Sequence, residues 1–389
     1  MSATHAPHCT PTVAPVLYVA FELSWGTWKM AFTTGAGQPP RIRTVPARCT
    51  SLVLDEIKKT KLRFDLPADT PVVSCYEAGR DGFWIHRYLT SAGIQNIVVD
   101  SASIEVSRRK RRAKSDRLDA LKLVSMLIRW HNGEKKVWSI VHVPTVVDED
   151  RRQLHRELIE LKSERTELAN RIKGLLAGLG LKVAIGDKLP ARLEKLRQWD
   201  AAVLPPALKA RILRDFERWQ LVVRQINELE RQRAREIRED PGVQGEQTRR
   251  LIRLKGIGAN GAWLLVREFF GWRKIRNRRE LASLAGLTPT PYDSGGSRHE
   301  QGISKAGNRL VRWMMVQLAW GWLHHQPKSE LTLWYRRRFG EGKSRVRKIG
   351  IIALARKLLI ALWRYLETGE IPAGAEVHPK KVMLAKQAS

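Results

Sequence analysis

VLYVAFELSWGTWKMAFT, residues 16–33, is the stretch that decides the fold. Val16–Leu23 is an apolar run with the length of a buried strand, and Thr27–Thr33 reads as its hairpin partner across Trp25-Gly26. Outward from this pair, Arg41–Ala47 continues as a third strand and Ser51–Thr60 as a short helix. Pro71–Tyr76 is a β-branched run, Asp81–Ala92 is helical, and Asn96–Asp100 is another strand. A helix from Ser115 to Trp130 closes the segment, with Leu118, Leu121, Val124 and Leu127 along one face. Three strands, helix, strand, helix, strand, helix is the order of one α/β domain, spanning residues 1–145.

Past residue 145 the period changes. Leu154, Leu158, Leu161, Leu168, Ile172, Leu175 and Leu179 keep heptad-like spacing, broken only by Arg165. Ile212, Phe216, Trp219, Val223 and Ile226 repeat it after a proline-containing link. Residues 146–245 are therefore expected to form a long helical, coiled-coil-like segment, either a hairpin within one chain or a dimerising coiled coil. Residues 246–370 read as a mainly α-helical C-terminal domain. Leu254-Lys255-Gly256-Ile257-Gly258 has the pattern of a helix-hairpin-helix turn, whose N–H groups can meet a phosphate, and equally that of a plain connection. A polar loop is expected from Thr288 to Gly302, then three helices to about Thr368, and a loose tail over 371–389.

The chain carries 70 Lys+Arg against 39 Asp+Glu, a formal net charge of +31. Such an excess suits a polyanionic partner whose counterions are released on binding. A membrane surface is also anionic, but no run of about 18 apolar residues is present to span a bilayer. The first fifteen residues lack the basic and apolar regions of a secretory signal. The three cysteines lie far apart without metal-ligand spacing, which fits a reducing, cytoplasmic setting. Nucleic acid is the favoured partner, and membrane association is not expected. Fourteen tryptophans are many for so basic a chain; most are expected in cores, a few against bases.

Four carboxylates stand out. Glu22 ends the first strand, Glu77 ends the fourth, and Asp116 and Asp119 begin the last helix of the domain. The i,i+3 spacing puts both aspartates on one helical face. If the strand-end and helix-start acids converge, they supply the hard oxygen ligands that two Mg2+ ions take. Each acid alone has a structural reading: Asp116 as a helix cap or first-turn acid, Glu77 as a turn acid. Taken together, beside a run of six basic residues in eight, they favour a catalytic cluster. That run comprises Arg108, Arg109, Lys110, Arg111, Arg112 and Lys114, a nucleic-acid patch or a solvated basic stretch.

A second constellation runs from Gly286-Leu287-Thr288-Pro289 through Ser294-Gly295-Gly296 to Ser304-Lys305-Ala306-Gly307-Asn308. The two glycines after Ser294 let backbone approach a bulky ligand. Arg298, His299, Lys305 and Arg309 stand near in sequence and are candidates to hold a phosphate. From spacing alone, Ser-Gly-Gly is a flexible turn as readily as a nucleophile, and no base for the serine is evident nearby.

These motifs carry a resemblance. Glu77-Ala78-Gly79, Lys114-Ser115-Asp116-Arg117-Leu118-Asp119-Ala120 and the stretch from Gly286 to Asn308 occur in the order found in the insertion-sequence 110 and 1111 family of transposases, which the chain resembles over nearly its whole length. The resemblance implies an RNase H-like, RuvC-like N-terminal domain with a DEDD acid set and a C-terminal transposase domain. Glu77, Asp116 and Asp119 match the second, third and fourth metal acids, and Glu22 stands where the family usually has aspartate. Ser294 matches the family serine that attacks DNA and forms a phosphoserine link. The resemblance further implies donor and target DNA, a structured non-coding bridge RNA as guide, two Mg2+ ions and a homo-oligomer, dimer or tetramer. Two rivals remain. In a RuvC-like nuclease or junction resolvase Ser294 would be only a turn residue. In a non-catalytic RNA- or DNA-binding relative the acid site would be crippled at Glu22.

Overall fold

A computed structural model describes residues 14–35, 37–104, 115–134, 136–294 and 297–378, with backbone alone over 292–294 and 297–300. The basic run of residues 107–114 lies outside the described residues, as does the tail beyond 378. The chain divides into two compact units between Val143 and Pro144. Among the described residues no helix is long and apolar enough to cross a membrane.

The first unit is a five-stranded sheet. Its elements are β1 (Leu17–Leu23), β2 (Thr27–Thr33), β3 (Arg41–Pro46), α1 (Thr50–Arg63), β4 (Val72–Glu77), α2 (Trp84–Ser91), β5 (Gln95–Val99) and α3 (Asp116–His131). The strand order is β3-β2-β1-β4-β5. β2 runs antiparallel to β1 and to β3, whereas β4 runs parallel to β1 and to β5. β1 is apolar and buried from Leu17 to Phe21 because it is central and covered on both faces. Leu17, Val19 and Phe21 pack with Val53 and Ile57 of α1 and Ile85 and Leu89 of α2. Tyr18 and Ala20 pack on the opposite face with Ala120, Leu123, Val124 and Leu127 of α3.

The core stripe of α3 thus differs from the one expected. Leu118 is exposed, and Ala120, Leu123, Val124 and Leu127 hold the i, i+3, i+4, i+7 positions instead. Ser115 caps this helix, its hydroxyl accepting from the Leu118 N–H at 3.4 Å. The capping role that offered a structural account of Asp116 therefore belongs to its neighbour.

The second unit is helical with one β-hairpin. α4 (Val146–Asp150) leads into α5 (Gln153–Ala177); the short α6 (Leu189–Lys195) precedes α7 (Pro206–Glu239). α5 and α7 pair as an antiparallel hairpin within the chain: Arg171 meets Asp215 at 3.3 Å, and Lys162, earlier on α5, meets Glu230, later on α7, at 2.6 Å. Leu158, Leu161 and Leu168 bury against Val222 and Ile226. Val222 takes the buried place expected for Val223, which is half-buried.

Next come α8 (Val243–Ile252), α9 (Ala259–Leu265) running into a π-helical turn (Val266–Phe270), and α10 (Arg278–Leu284). The hairpin β6 (Pro289–Ser294) and β7 (Ser297–Ile303) follows, then α11 (Arg309–His325), α12 (Glu330–Phe339) and α13 (Ser344–Thr368). The segment expected as a polar loop is this hairpin. Its strands lack an apolar alternation, so a period-2 reading passes over them. At the Gly256 turn, Lys255 N–H already donates to Glu376 and Ile257 N–H to Leu254. Gly256 has φ +86° and lies against His325 of α11, so a side chain there would be strained and would crowd the helix. The part of the tail expected to be loose is held as far as His378: Val377 bridges Leu254, and the His378 N–H donates to Arg253.

The tryptophans are not mostly buried: five of the fourteen are exposed and five half-buried. Trp28, Trp263 and Trp322 are fully buried, while Trp25, Trp199, Trp313 and Trp320 are exposed.

Candidate functional site

Sheet register and alternation bring the strand acids together. In the parallel β1–β4 pair, Phe21 lies beside Tyr76, so Glu22 and Glu77 are the next residues on the two neighbouring strands. Glu22 follows the alternation of Tyr18 and Ala20, and Glu77 that of Val73 and Cys75, all on the face covered by α3. Lys29 lies opposite Glu22 in the antiparallel β1–β2 pair. Its ammonium stands 3.6 Å from Asp116 in the first turn of α3. Asp119 is half-buried one turn further on, and Asp116 and Glu77 are exposed. Glu22 and Glu77 thus share one face and one end of the sheet, and Asp116 and Asp119 begin the helix that covers that face.

The donor set is entirely carboxylate oxygen, the chemistry that a hard divalent cation takes. Lys29 already puts a positive charge beside Asp116. Among the described residues, however, no three of His, Cys, Asp or Glu stand close enough together to hold a metal ion. The acids are neighbours, not a formed cage. At the same strand ends Trp25 is 68% exposed, with the guanidinium groups of Arg48 and Arg80 4.5 and 5.0 Å from its ring centre. Sequence reading singled out neither arginine; they lie far from Trp25 in the chain, so no local pattern marks them.

In the second unit the glycine motifs lock together. Gly286 (φ +66°) and Gly307 (φ +120°) are in conformations that favour glycine, and a Cβ on Gly307 would fall on the Leu284 carbonyl. Asn308 N–H donates to Leu284 at 2.8 Å, and Ser304 N–H to Thr288 at 2.9 Å. Lys305 holds a left-handed backbone (φ +55°), unusual for a side-chain-bearing residue. Its carbonyl accepts from Arg312 at 2.9 Å. Lys305 and Arg309 are exposed at the root of the hairpin.

Ser294 lies at the far end of β6, paired with Ser297, and Arg298 lies opposite Asp293. Five residues separate Ser294 from Pro289 at the root, about 17 Å at strand rise. The cations at the root and the serine at the tip are therefore apart, although they sit close in sequence.

A buried network beneath the motif was not read from sequence. Glu268, fully buried in the π-helical turn, accepts from His155 at 2.8 Å and from Arg156 at 2.7 Å. The side-chain amide of Asn308 donates to its other oxygen at 3.2 Å, while the Asn308 carbonyl oxygen caps α11. Burial alone would raise the Glu268 carboxyl; the hydrogen bonds and charge of Arg156 and His155 overcome this and bring it down to about 2. His155 and Glu268 are 113 residues apart in the chain, so only the folded unit reveals their pairing.

Acids on one sheet edge, in a chain of net charge +31, describe a protein built to handle a polyanion. Residues 248–333 match the family described as "Transposase IS116/IS110/IS902 family". The chain is 39% identical over 372 residues to "Putative transposase y4rJ" of Sinorhizobium fredii, covering 92% of this chain and 94% of that one. It is 26% identical over 278 residues to the transposase for insertion sequence element IS1111A of Coxiella burnetii, 66% of this chain and 68% of the relative. It is also 29% identical over 166 residues to the transposase for insertion sequence element IS1328 of Yersinia enterocolitica, 43% and 48% of the two chains. The chain belongs to the IS116/IS110/IS902 family of transposases.

Proposed function

We propose that the chain is an insertion-sequence recombinase that cuts and rejoins DNA by transesterification, with its acids and Ser294 acting on one phosphodiester. The observation that carries this reading is the pair Glu22 and Glu77 at neighbouring strand ends beneath α3, whose first turn holds Asp116 and Asp119, with two of the four, Glu22 and Asp116, linked through Lys29 by strand pairing and an ion pair. The strand order β3-β2-β1-β4-β5, with β2 antiparallel and β4 parallel to β1, supports an RNase H-like, RuvC-like assignment for the first unit.

In this reading the four acids would hold Mg2+, two ions by the count of donors. Ions bound there supply positive charge that steadies phosphate oxygens and lowers the pKa of a bound hydroxyl. The Ser294 hydroxyl attacks the phosphorus, its oxygen forming the new P–O bond as its proton leaves. The bond to the departing sugar oxygen breaks, and that oxygen takes up a proton. The strand end stays on Ser294 as a phosphoserine ester, so the bond energy is conserved for rejoining without ATP. Lys305 and Arg309 at the hairpin root, with Arg298 on β7, contribute cations toward the DNA backbone. A guide RNA fits the same positive charge, with base pairing supplying sequence choice and the protein reading backbone. Because the acids and the serine belong to different units, completion of the site in a homo-oligomer is part of the proposal.

The test is cleavage of labelled DNA bearing the element's ends by wild type and Ser294→Ala. Loss of cleavage in the variant is expected. Cleavage that survives Ser294→Ala would instead favour a metal-dependent nuclease in which water attacks.

A further inference from the structure

A groove of about 540 Å³ opens at the root of the serine hairpin. Its floor is apolar, made by Leu287, Ile303, Trp334, Ile352 and Ile360. Four cations, Arg278, Arg279, Arg356 and Lys357, line it, and no carboxylate does. Among the described residues none of the four is in an ion pair, and the Lys357 ammonium lies 4.6 Å from the centre of the Trp334 ring. The chain's other large cavity, about 440 Å³, is lined by Arg151, Arg235 and Arg267 against Glu236, Glu239 and Asp240, and so neutralises itself. Of these two cavities, the hairpin groove is the one that joins a positive rim, unpaired among the described residues, to an apolar floor.

The sequence of α13 carries the same message. One stripe, including Leu354, Leu358, Leu362 and Tyr365, enters the core of the unit. A second stripe, Ile349, Ile352, Arg356 and Ile360, repeats at helical spacing on the groove side. Ile349 is 53% exposed. A second apolar stripe, interleaved with cations and left open, needs an occupant that is itself anionic and partly apolar.

We infer that this groove takes one unstacked nucleotide of the DNA strand, its base over the Trp334 side of the floor and its phosphates against the four cations. This rests on the proposed DNA-cutting function and adds a binding site to it. The volume lies within the roughly 300–1,000 Å³ of small-ligand sites. A nucleobase has a flat apolar face that stacks on an aromatic ring, whatever its identity. Ser294 stands about 17 Å from Pro289 along β6. At about 3.4 Å per stacked nucleotide, the captured base is roughly five positions from the scissile phosphate. Pulling one base out of the stack there would fix the register of the strand relative to the serine.

The experiment uses the full chain with single-stranded DNA carrying 5-iodouridine at successive positions, irradiated and mapped by peptide mass spectrometry. Crosslinks to Trp334 or to the peptide containing residues 349–360 are expected. In anisotropy titrations of the same DNA, Ile349→Asp, which sets a carboxylate on the exposed cationic rim and leaves the core intact, weakens binding about tenfold. Arg279→Gln with Lys357→Gln lowers the salt slope by about 1.4, two phosphate contacts on a single strand. Crosslinks elsewhere, with wild-type affinity in both variants, would overturn the groove assignment and leave the transposase reading standing. Crosslinks here from an RNA of the same sequence but not from DNA would overturn the choice of DNA. A wild-type chain that binds no DNA would count against the proposed function itself, and with it this site.

Discussion

The sheet-edge acids and the serine segment are held in place by different means. Glu22 and Glu77 owe their positions to strand register, a backbone property, and Asp116 to the first turn of a helix capped by Ser115. Glu77 and Asp116 are exposed, and Glu22 is half-buried. The serine segment has no such frame, because the strands that carry it are polar and form a two-stranded ribbon. Its root is fastened from beneath by Glu268, a fully buried carboxylate joining α5, the π-helical turn and the cap of α11. On the proposed function, side chains at the acid edge can therefore be changed at the expense of chemistry more than of stability. Changes under the serine segment disturb stability and position together.

Substitutions separate the two cases. The largest effect is expected for Asp119→Asn, which should lower DNA cleavage by at least about a hundredfold, as loss of a metal ligand's contribution does. Its melting temperature should match wild type, since among the described residues Asp119 makes no side-chain hydrogen bond or ion pair; a joint loss of folding and cleavage would undo the contrast. Glu268→Gln comes next. Moving a carboxyl from 4.5 to about 2 corresponds to about 3 kcal/mol of native-state preference for the charged form. Its loss should lower the melting temperature by about 6–12 °C in a unit of this size. The lowered value also fixes the sign with pH. The contribution is complete above pH 4.5 and is lost as pH falls from there toward 2. The stability gap between wild type and Glu268→Gln, followed by acid titration of unfolding, should therefore close over that window; a gap independent of pH would dismiss the network as the cause. The smallest effect belongs to Lys29→Met. A partly exposed ion pair is worth about 0–1 kcal/mol, so stability should barely move. Removing the resident cation from the acids should lower the Mg2+ concentration needed for half-maximal cleavage, and an increase would argue against a shared cation site.

The difference between the two regions also explains what could be read in advance. Each expected strand and helix of the first unit is present, with ends displaced by a few residues, because most elements there bury an apolar run with a clear period; β3, which buries only Val45, is the exception. The α5–α7 pairing followed from its leucines, although their spacing alone left open whether the partner helix lay in the same chain. Residues 289–303 carry no such period, and their pairing into a hairpin emerges only in the folded unit. The acids can be placed on strand ends and a helix start because those boundaries are marked by local sequence. Glu268, His155 and the cations of the hairpin groove cannot be placed that way, since their association depends on packing between segments distant in the chain. Leu118 was misassigned for a simpler reason: two overlapping apolar stripes run along α3, and only packing against β1 and β4 selects between them.

The central claim is that the acids and the serine serve one reaction. Its most direct test is covalent trapping: purified chain, RNA transcribed from the element's own flank, Mg2+ and end-labelled donor DNA, resolved on a denaturing gel. A protein–DNA adduct is expected with wild type, and none with Ser294→Ala or with Asp119→Asn. Cleaved DNA without any adduct, formed equally well by Ser294→Ala, would contradict the account.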